Sequence, residues 1–166
     1  MFTQFNHLPP HSKIWVYQAD RVLSKDEVSQ IEDVLIRFVG SWQAHGADLV
    51  SSFKVLYNRF IVIGVDTEVN LATGCSIDKS VAQIKELGSA LAINFFDRTQ
   101  IAFLEEGSQV FTSSLSTIKS DIESGKVKAS TLTFNSLVET KEKFDAEWLV
   151  TAADSWLKRY FNTAAV

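Results

Sequence analysis

The stretch Arg59-Phe-Ile-Val-Ile-Gly-Val-Asp66 decides the fold that the sequence predicts. Phe60, Ile61, Val62 and Ile63 are apolar in succession, whereas a strand with one solvated face alternates apolar and polar side chains. A strand that is apolar on both faces must be covered on both faces. We therefore expect this segment at the centre of a sheet, with further structure packed on each side.

Further strands and helices flank this segment along the chain. β-Branched and aromatic residues predict strands at Lys13–Ala19, Leu49–Tyr57 and Gln100–Leu104. Ser24-Lys-Asp-Glu27 has the capping-box pattern and opens an amphipathic helix, and a second helix is predicted over Gly74–Phe95. The order strand-helix-strand-strand-helix-strand predicts an α+β fold with a ferredoxin-like (β-α-β-β-α-β) antiparallel sheet core and both helices on one face.

The same pattern predicts a single globular unit built from successive segments. Residues 1–12 are expected as a loose N-terminal arm and residues 13–107 as the ferredoxin-like core. Residues 108–166 are expected as a C-terminal α/β extension packed on the core, since they contain further strand and helix patterns. We expect this extension to cover the second sheet face, because the apolar central strand requires a cover there.

Composition and charge exclude several classes of partner. The 166 residues carry a net charge of −4 with both signs mixed, which favours neither nucleic acid nor an anionic membrane as a partner. The single cysteine permits no internal disulfide and no cysteine-rich zinc site, and it fits a reducing cytoplasm. The longest apolar run, Phe60–Val65, is too short to span a bilayer. The expectation is a cytoplasmic protein without cofactor or metal.

One end of the predicted sheet gathers the residues with the most chemical potential. In the ferredoxin-like topology the second strand starts, the third strand ends and the second helix starts at this end. A thiolate at a helix N-terminus is stabilised by amide dipoles, so Cys75 is a candidate nucleophile, with His45 as its base and Asp78 or Asp66 orienting the imidazole. The candidate ligand-binding residues at the same end are Trp42, Asp66, Gly74 and Ser76. The alternative is that Cys75 is a small buried residue and that His45 only ends a turn.

Two binding motifs are excluded by their residues. Gly74-Cys-Ser-Ile-Asp-Lys-Ser80 is similar to a phosphate-binding loop but is one residue short, and Asp78 stands where a glycine is needed. Because that carboxylate would repel phosphate, the sequence does not support nucleotide hydrolysis. RNA recognition through sheet aromatics is disfavoured by the acidic charge and by the missing glycine–aromatic signature.

The chain nevertheless resembles a family of small Bacteroidetes proteins whose function is uncharacterised. The resemblance is carried by Trp42-Gln-Ala-His45-Gly46, Arg59-Phe60-Ile61, Gly74-Cys-Ser-Ile-Asp78, Phe96-Asp97-Arg98 and Ser155-Trp156. It extends from about Ile14 to Phe161. Members often carry the label "ABC transporter ATPase", which the motifs of this chain do not support. Leu115–Ala152 is also similar, more weakly, to GYF-like modules that bind proline-rich peptides.

The sequence leaves the function open among alternatives. The first is a non-catalytic binding or regulatory module with a protein or small-ligand partner, since no complete catalytic or cofactor motif is present. A homodimer through a sheet edge or through the aromatic-rich end is one form of this alternative. The second is a small cysteine-dependent enzyme of acyl transfer or hydrolysis that uses Cys75 with His45. The third is a small-ligand sensor, which requires a sizeable pocket at the Cys75 end.

Overall fold

The computed structural model describes residues 1–162 and divides the chain into two compact units. The first unit comprises Met1–Asp97 and Val138–Asp145, and the second comprises Arg98–Leu137 and the chain from Ala146 onward. Helices occur together with antiparallel sheets, so the chain is an α+β protein. Within residues 1–162, no helix combines the length and the apolar character that crossing a bilayer requires.

The elements alternate along the chain. The strands are β1 (Lys13–Gln18), β2 (Gln43–Ala44), β3 (Ala47–Asp48), β4 (Ser51–Leu56), β5 (Phe60–Val65), β6 (Gln100–Leu104), β7 (Val110–Ser114), β8 (Leu132–Phe134) and β9 (Leu149–Thr151). The α-helices are α1 (Lys25–Ser41), α2 (Gly74–Leu91), α3 (Ile118–Glu123), α4 (Lys141–Glu147) and α5 (Lys158–Asn162). Short 3₁₀ helices occur at Phe5–His7 and Ala152–Asp154.

The sheet of the first unit has the order β1-β5-β4, with both pairs antiparallel. β5 is the central strand and is buried along its whole length, as the apolar stretch predicted. The order of these three strands is the one expected for the first three strands of a ferredoxin-like sheet. The full four-stranded sheet is not confirmed, because Gln100–Leu104 (β6) pairs with β7 and β8 in a second sheet instead of completing the first.

Both long helices pack on one face of this sheet. α1 begins at the predicted capping box, in which the Ser24 hydroxyl accepts from the Glu27 amide at 3.1 Å and the Glu27 carboxylate accepts from the Ser24 amide at 3.2 Å. The two helices and the strands form one buried apolar cluster. Its fully buried members include Ile31 and Leu35 of α1, Ile84 of α2, and Ile61, Ile63 and Val65 of β5.

The N-terminal segment contributes to the opposite face of the same sheet. Residues 1–12 are not a loose arm, because Phe5 and Leu8 are buried. A Cβ placed on Gly64 of β5 would lie 2.5 Å from Leu8 Cδ1 and 3.6 Å from Phe5 Cε2, so these side chains fill the space above the glycine. The ring of Phe5 also meets that of Phe144 edge-on at 5.7 Å. Part of the cover predicted for residues 108–166 is therefore supplied by the N-terminus and by residues 138–145 of the same unit.

The second unit has its own antiparallel sheet, of order β7-β6-β8-β9. Its core includes Phe103 of β6, Ile118 of α3 and Leu157, all almost fully buried. β8 is short, because only Leu132–Phe134 forms ladder pairs with β6 and β9. Within this unit Trp156 is 49% exposed, so it does not belong to a buried layer.

Candidate functional site

Two of the predicted ligand-binding residues, Trp42 and Ser76, form hydrogen bonds at the N-terminus of α2. Thr73 caps the helix: its hydroxyl accepts from the Ser76 amide, and the Ser76 hydroxyl accepts from the Thr73 amide. The buried indole of Trp42 donates to the carbonyl oxygen of Ser76 at 2.9 Å. The structure thus brings Trp42 and Ser76 together, but their polar groups are engaged with each other and with the cap. Gly74 is the first residue of the helix and is exposed.

The candidate catalytic residues are exposed and are not joined to one another. Cys75 is a free, exposed thiol in the first turn of α2, and Asp78 is exposed one turn further along. His45 lies with Gly46 in the tight turn between β2 and β3, where both residues have positive φ (51° and 78°). Among residues 1–162, no hydrogen bond or ion pair links the thiol, the imidazole and the Asp78 carboxylate. The Cys–His pair therefore stays a prediction.

Asp66 is hydrogen-bonded to His11 and not to His45, the histidine that the sequence suggested. Its Oδ1 lies 2.8 Å from Nε2 of His11 and accepts from the Glu68 amide at 2.9 Å. Burial acts to raise the pKa of Asp66, but the Glu68 amide and the His11 imidazole outweigh it, so this pKa lies below its ordinary value of 3.8. The sequence missed this pair because His11 belongs to a segment that was expected to be loose. Within residues 1–162, no group of His, Cys, Asp and Glu side chains has a metal-binding arrangement.

The strongest site feature lies instead at the free edge of β4. The amide and carbonyl of Ser51 point away from β5, since they pair with the Met1 carbonyl and the Thr3 amide at 3.0 and 2.9 Å. Backbone groups alternate in direction along a strand, so the amides and carbonyls of Phe53 and Val55 also point outward. No described residue pairs with these outward groups.

A groove runs between this edge and α1. It measures about 550 Å³ and is lined by Glu32, Asp33, Ile36, Phe53, Lys54, Val55 and Leu56. Apolar side chains are accessible along it, because Ile36 is 40% exposed and Phe53 is only partly buried. Phe2, which is 42% exposed, extends the apolar surface through its contact with Phe53, at a ring-centroid distance of 6.3 Å.

The charges along the groove are acidic. Glu32 and Asp33 are exposed on α1, and neither has an ion-pair partner among the described residues. The ammonium group of Lys54 is engaged on the other face of the sheet, where it donates to Oδ1 of Asn6 at 3.1 Å and lies 5.3 Å from the centre of the Phe5 ring. The groove therefore combines outward backbone donors and acceptors, apolar side chains and two carboxylates that form no ion pair among the described residues.

Sequence reasoning could have found part of this site. The predicted strand order already placed the second strand at an edge, and the alternation of Phe53 and Val55 with Lys54 assigns the apolar side chains to the helix face. The sequence could not show that the N-terminal segment pairs with β4 at Ser51 and leaves the rest of this edge open. No protein-family model, curated protein or solved structure matches this chain.

Proposed function

We propose that this protein is a non-catalytic binding module that takes an extended segment of a partner protein as an added strand on the free edge of β4. The observation that carries the proposal is the outward-facing backbone of Phe53 and Val55 beside an apolar groove. Strand addition uses this combination, because main-chain hydrogen bonds supply affinity and side-chain pockets along the edge supply specificity.

Among the described residues, the edge of β4 is covered at Ser51 and open at Phe53 and Val55. Long free edges are generally blunted by inward charges, prolines or covering segments, because they template pairing with other chains. On the opposite edge of this sheet, the Ile14 amide already donates to the Glu139 carbonyl at 2.9 Å, and Lys13 forms a bridge with Thr140. On β4, the chain's own residues Met1–Thr3 pair with Ser51. This pairing supports the proposal, since an extended segment of the chain itself already hydrogen-bonds to this edge.

Proline at position 55 is the most direct test of this proposal. The Val55 amide points outward, so Val55→Pro removes an edge donor while the ladder to β5 keeps its hydrogen bonds, a position at which strands tolerate proline. Val55→Thr is the matched control, since threonine keeps both the amide and the β-branched shape. Peptides selected from a random decapeptide display library on the wild-type protein are then titrated against both variants by calorimetry.

We expect the selected peptides to lose about fivefold in affinity for Val55→Pro and to retain their affinity for Val55→Thr, since one backbone hydrogen bond contributes about 1 kcal/mol. Circular dichroism establishes whether Val55→Pro is folded. Ile36→Ser, which removes an exposed groove side chain, serves as a second variant if it is not. A library that yields no binder, or binders that tolerate both substitutions, would contradict strand addition.

The cysteine-dependent enzyme and the small-ligand sensor receive less support. An enzyme of this kind requires an imidazole hydrogen-bonded to the Cys75 thiol, and no such hydrogen bond is formed among the described residues. We further infer a cytoplasmic location, because the only cysteine is free. Membership of the Bacteroidetes family is also our inference from the sequence motifs, and it supplies no reaction.

A further inference from the structure

We propose that the strand captured by β4 is a basic–apolar segment of another protein, in which lysine or arginine alternates with apolar side chains on the face turned toward α1. This inference rests on the proposed function and names the chemistry of its partner. It follows from the composition of the groove, whose exposed charged side chains on the α1 wall are acidic and whose lysine is engaged elsewhere.

The acidic wall has no basic partner within the described part of the chain. Glu32 and Asp33 are exposed on α1 and make no ion pair there, in contrast to Glu27 on the same helix, which pairs with Arg21 at 2.8 Å. Lys54 is the only basic side chain of the groove lining, and its ammonium group lies over the Phe5 ring. An incoming cation therefore meets carboxylates that are not already neutralised.

The distance between Glu32 and Ile36 on α1 fits a guest strand in which a basic and an apolar residue are two positions apart. Side chains on one face of a strand recur at about 6.6 Å, which is two residues. Glu32 and Ile36 lie one helical turn apart on α1, a separation of about 6 Å. A guest strand along the groove can consequently set one side chain near the carboxylates and the side chain two residues away near Ile36.

A second copy of this chain is the less favourable occupant. Antiparallel pairing of β4 with its own copy would continue the sheet, leave both α1 helices on the same face, and bring the two pairs of Glu32 and Asp33 toward each other. Such like-charge contacts oppose association, and the net charge of −4 on each copy adds to the repulsion. The charge distribution thus selects a cationic partner over a self-complementary one.

Two matched synthetic peptides separate the role of charge from that of the edge. The first is an acetylated, amidated nonapeptide in which lysine and valine take turns at the odd positions and threonine fills the even positions, so that lysine and valine share one strand face; in the second each lysine is replaced by glutamate. Both are titrated into the wild-type protein, the double variant Glu32→Gln/Asp33→Asn, and the control Glu86→Gln/Glu142→Gln, which makes the same charge change at exposed positions of α2 and α4.

We expect the lysine peptide to bind the wild type at least about fivefold more tightly than it binds Glu32→Gln/Asp33→Asn in low salt, because two exposed charge contacts are lost. The difference should shrink at high salt, since surface charges are screened. The control variant should behave like the wild type. The glutamate peptide should bind the wild type more weakly than the lysine peptide does.

The remaining outcomes distinguish the two proposals. Equal binding of both peptides that Val55→Pro weakens would overturn the basic-partner inference and leave strand addition in place. A failure of both peptides to bind would count against strand addition as well. A concentration-dependent dimer in sedimentation that Val55→Pro abolishes would identify a second copy as the occupant and refute the choice of a cationic partner.

Discussion

The packing of the N-terminal segment on β5 makes a quantitative prediction about Leu8 and Gly64. Leu8 is 4% exposed, and truncation of a buried leucine to alanine destabilises proteins by about 2–5 kcal/mol. We therefore expect Leu8→Ala to lower the free energy of unfolding of the first unit by an amount in that range. A loose N-terminal arm would give no such effect. Leu71→Ala is the matched control, because Leu71 is 72% exposed and its truncation should change stability by less than about 0.5 kcal/mol.

Gly64→Ala adds side-chain volume at the contact from which Leu8→Ala removes it. Its new Cβ would lie 2.5 Å from Leu8 Cδ1 and 3.0 Å from Ile14 Cδ1, so the neighbours must shift, and we expect a cost of about 1–3 kcal/mol. Leu8→Ala removes the atom that is closest to this Cβ. The two substitutions together should therefore cost less than the sum of their separate effects, with a favourable coupling of about 1 kcal/mol.

Urea unfolding, followed through the amide NMR signals of Ile61 and Ile63, reports on this unit residue by residue. The four proteins of the double-mutant cycle are the wild type, Leu8→Ala, Gly64→Ala and the double variant. Costs that add within about 0.3 kcal/mol would mean that Leu8 does not lie on Gly64, since independent sites are additive. An unchanged midpoint for Leu8→Ala alone would already refute the packed N-terminal segment.

Three further predictions follow from individual side chains. Ser51→Ala should cost about 1 kcal/mol because its buried hydroxyl donates to a carbonyl at 3.2 Å, whereas Ser52→Ala should be neutral or stabilising because that buried hydroxyl has no partner; urea midpoints decide. The ionised Asp66 carboxylate stabilises the fold, because its pKa is lower in the folded than in the unfolded protein. This stabilisation is complete above the unfolded pKa near 3.8 and is lost as the pH falls through the folded pKa. Asp66→Asn should therefore flatten the curve of unfolding free energy against pH below about pH 4. Iodoacetamide should alkylate the exposed Cys75 at a rate that His45→Ala leaves unchanged, and a slower rate in that variant would restore the enzyme hypothesis.

Local signals allowed much of the first unit to be predicted. The capping box fixed the start of α1 because its partners lie within one turn of the chain. The two-sided apolar character of Phe60–Ile63 placed β5 at the centre of the sheet, because it reports burial directly. These features needed no knowledge of distant contacts.

Long-range pairing could not be obtained in the same way. Gln100–Leu104 has an ordinary strand pattern, and nothing in it distinguishes an outer strand of the first sheet from a partner of Val110–Ser114. The turn at Glu105–Gly107, where Gly107 has a φ of 86°, favours the local hairpin that the structure contains. The cover supplied by Phe5 was missed for a related reason, since the prolines near it suggested a loose segment although its apolar residues could pack.

The sequence did not draw attention to the edge of β4, because sequence analysis favours chemically reactive side chains. Cys75, His45 and Asp78 are chemically distinctive, yet all three are exposed and no hydrogen bond joins them within the described residues. The edge of β4 depends instead on backbone groups, which every residue carries and which no sequence motif marks. Its recognition requires the directions of the Ser51 hydrogen bonds, which are visible only in the folded structure.

Amide hydrogen exchange at Phe53 and Val55 tests strand addition most directly. Both amides point away from β5, so in the free protein they should exchange quickly compared with those of Lys54, which faces β5. Saturation with the lysine nonapeptide should slow the exchange at Phe53 and Val55 and leave Lys54 nearly unchanged, because only the outward groups gain hydrogen bonds. Binding without protection of these two amides, or their protection in the free protein, would contradict the proposed binding edge.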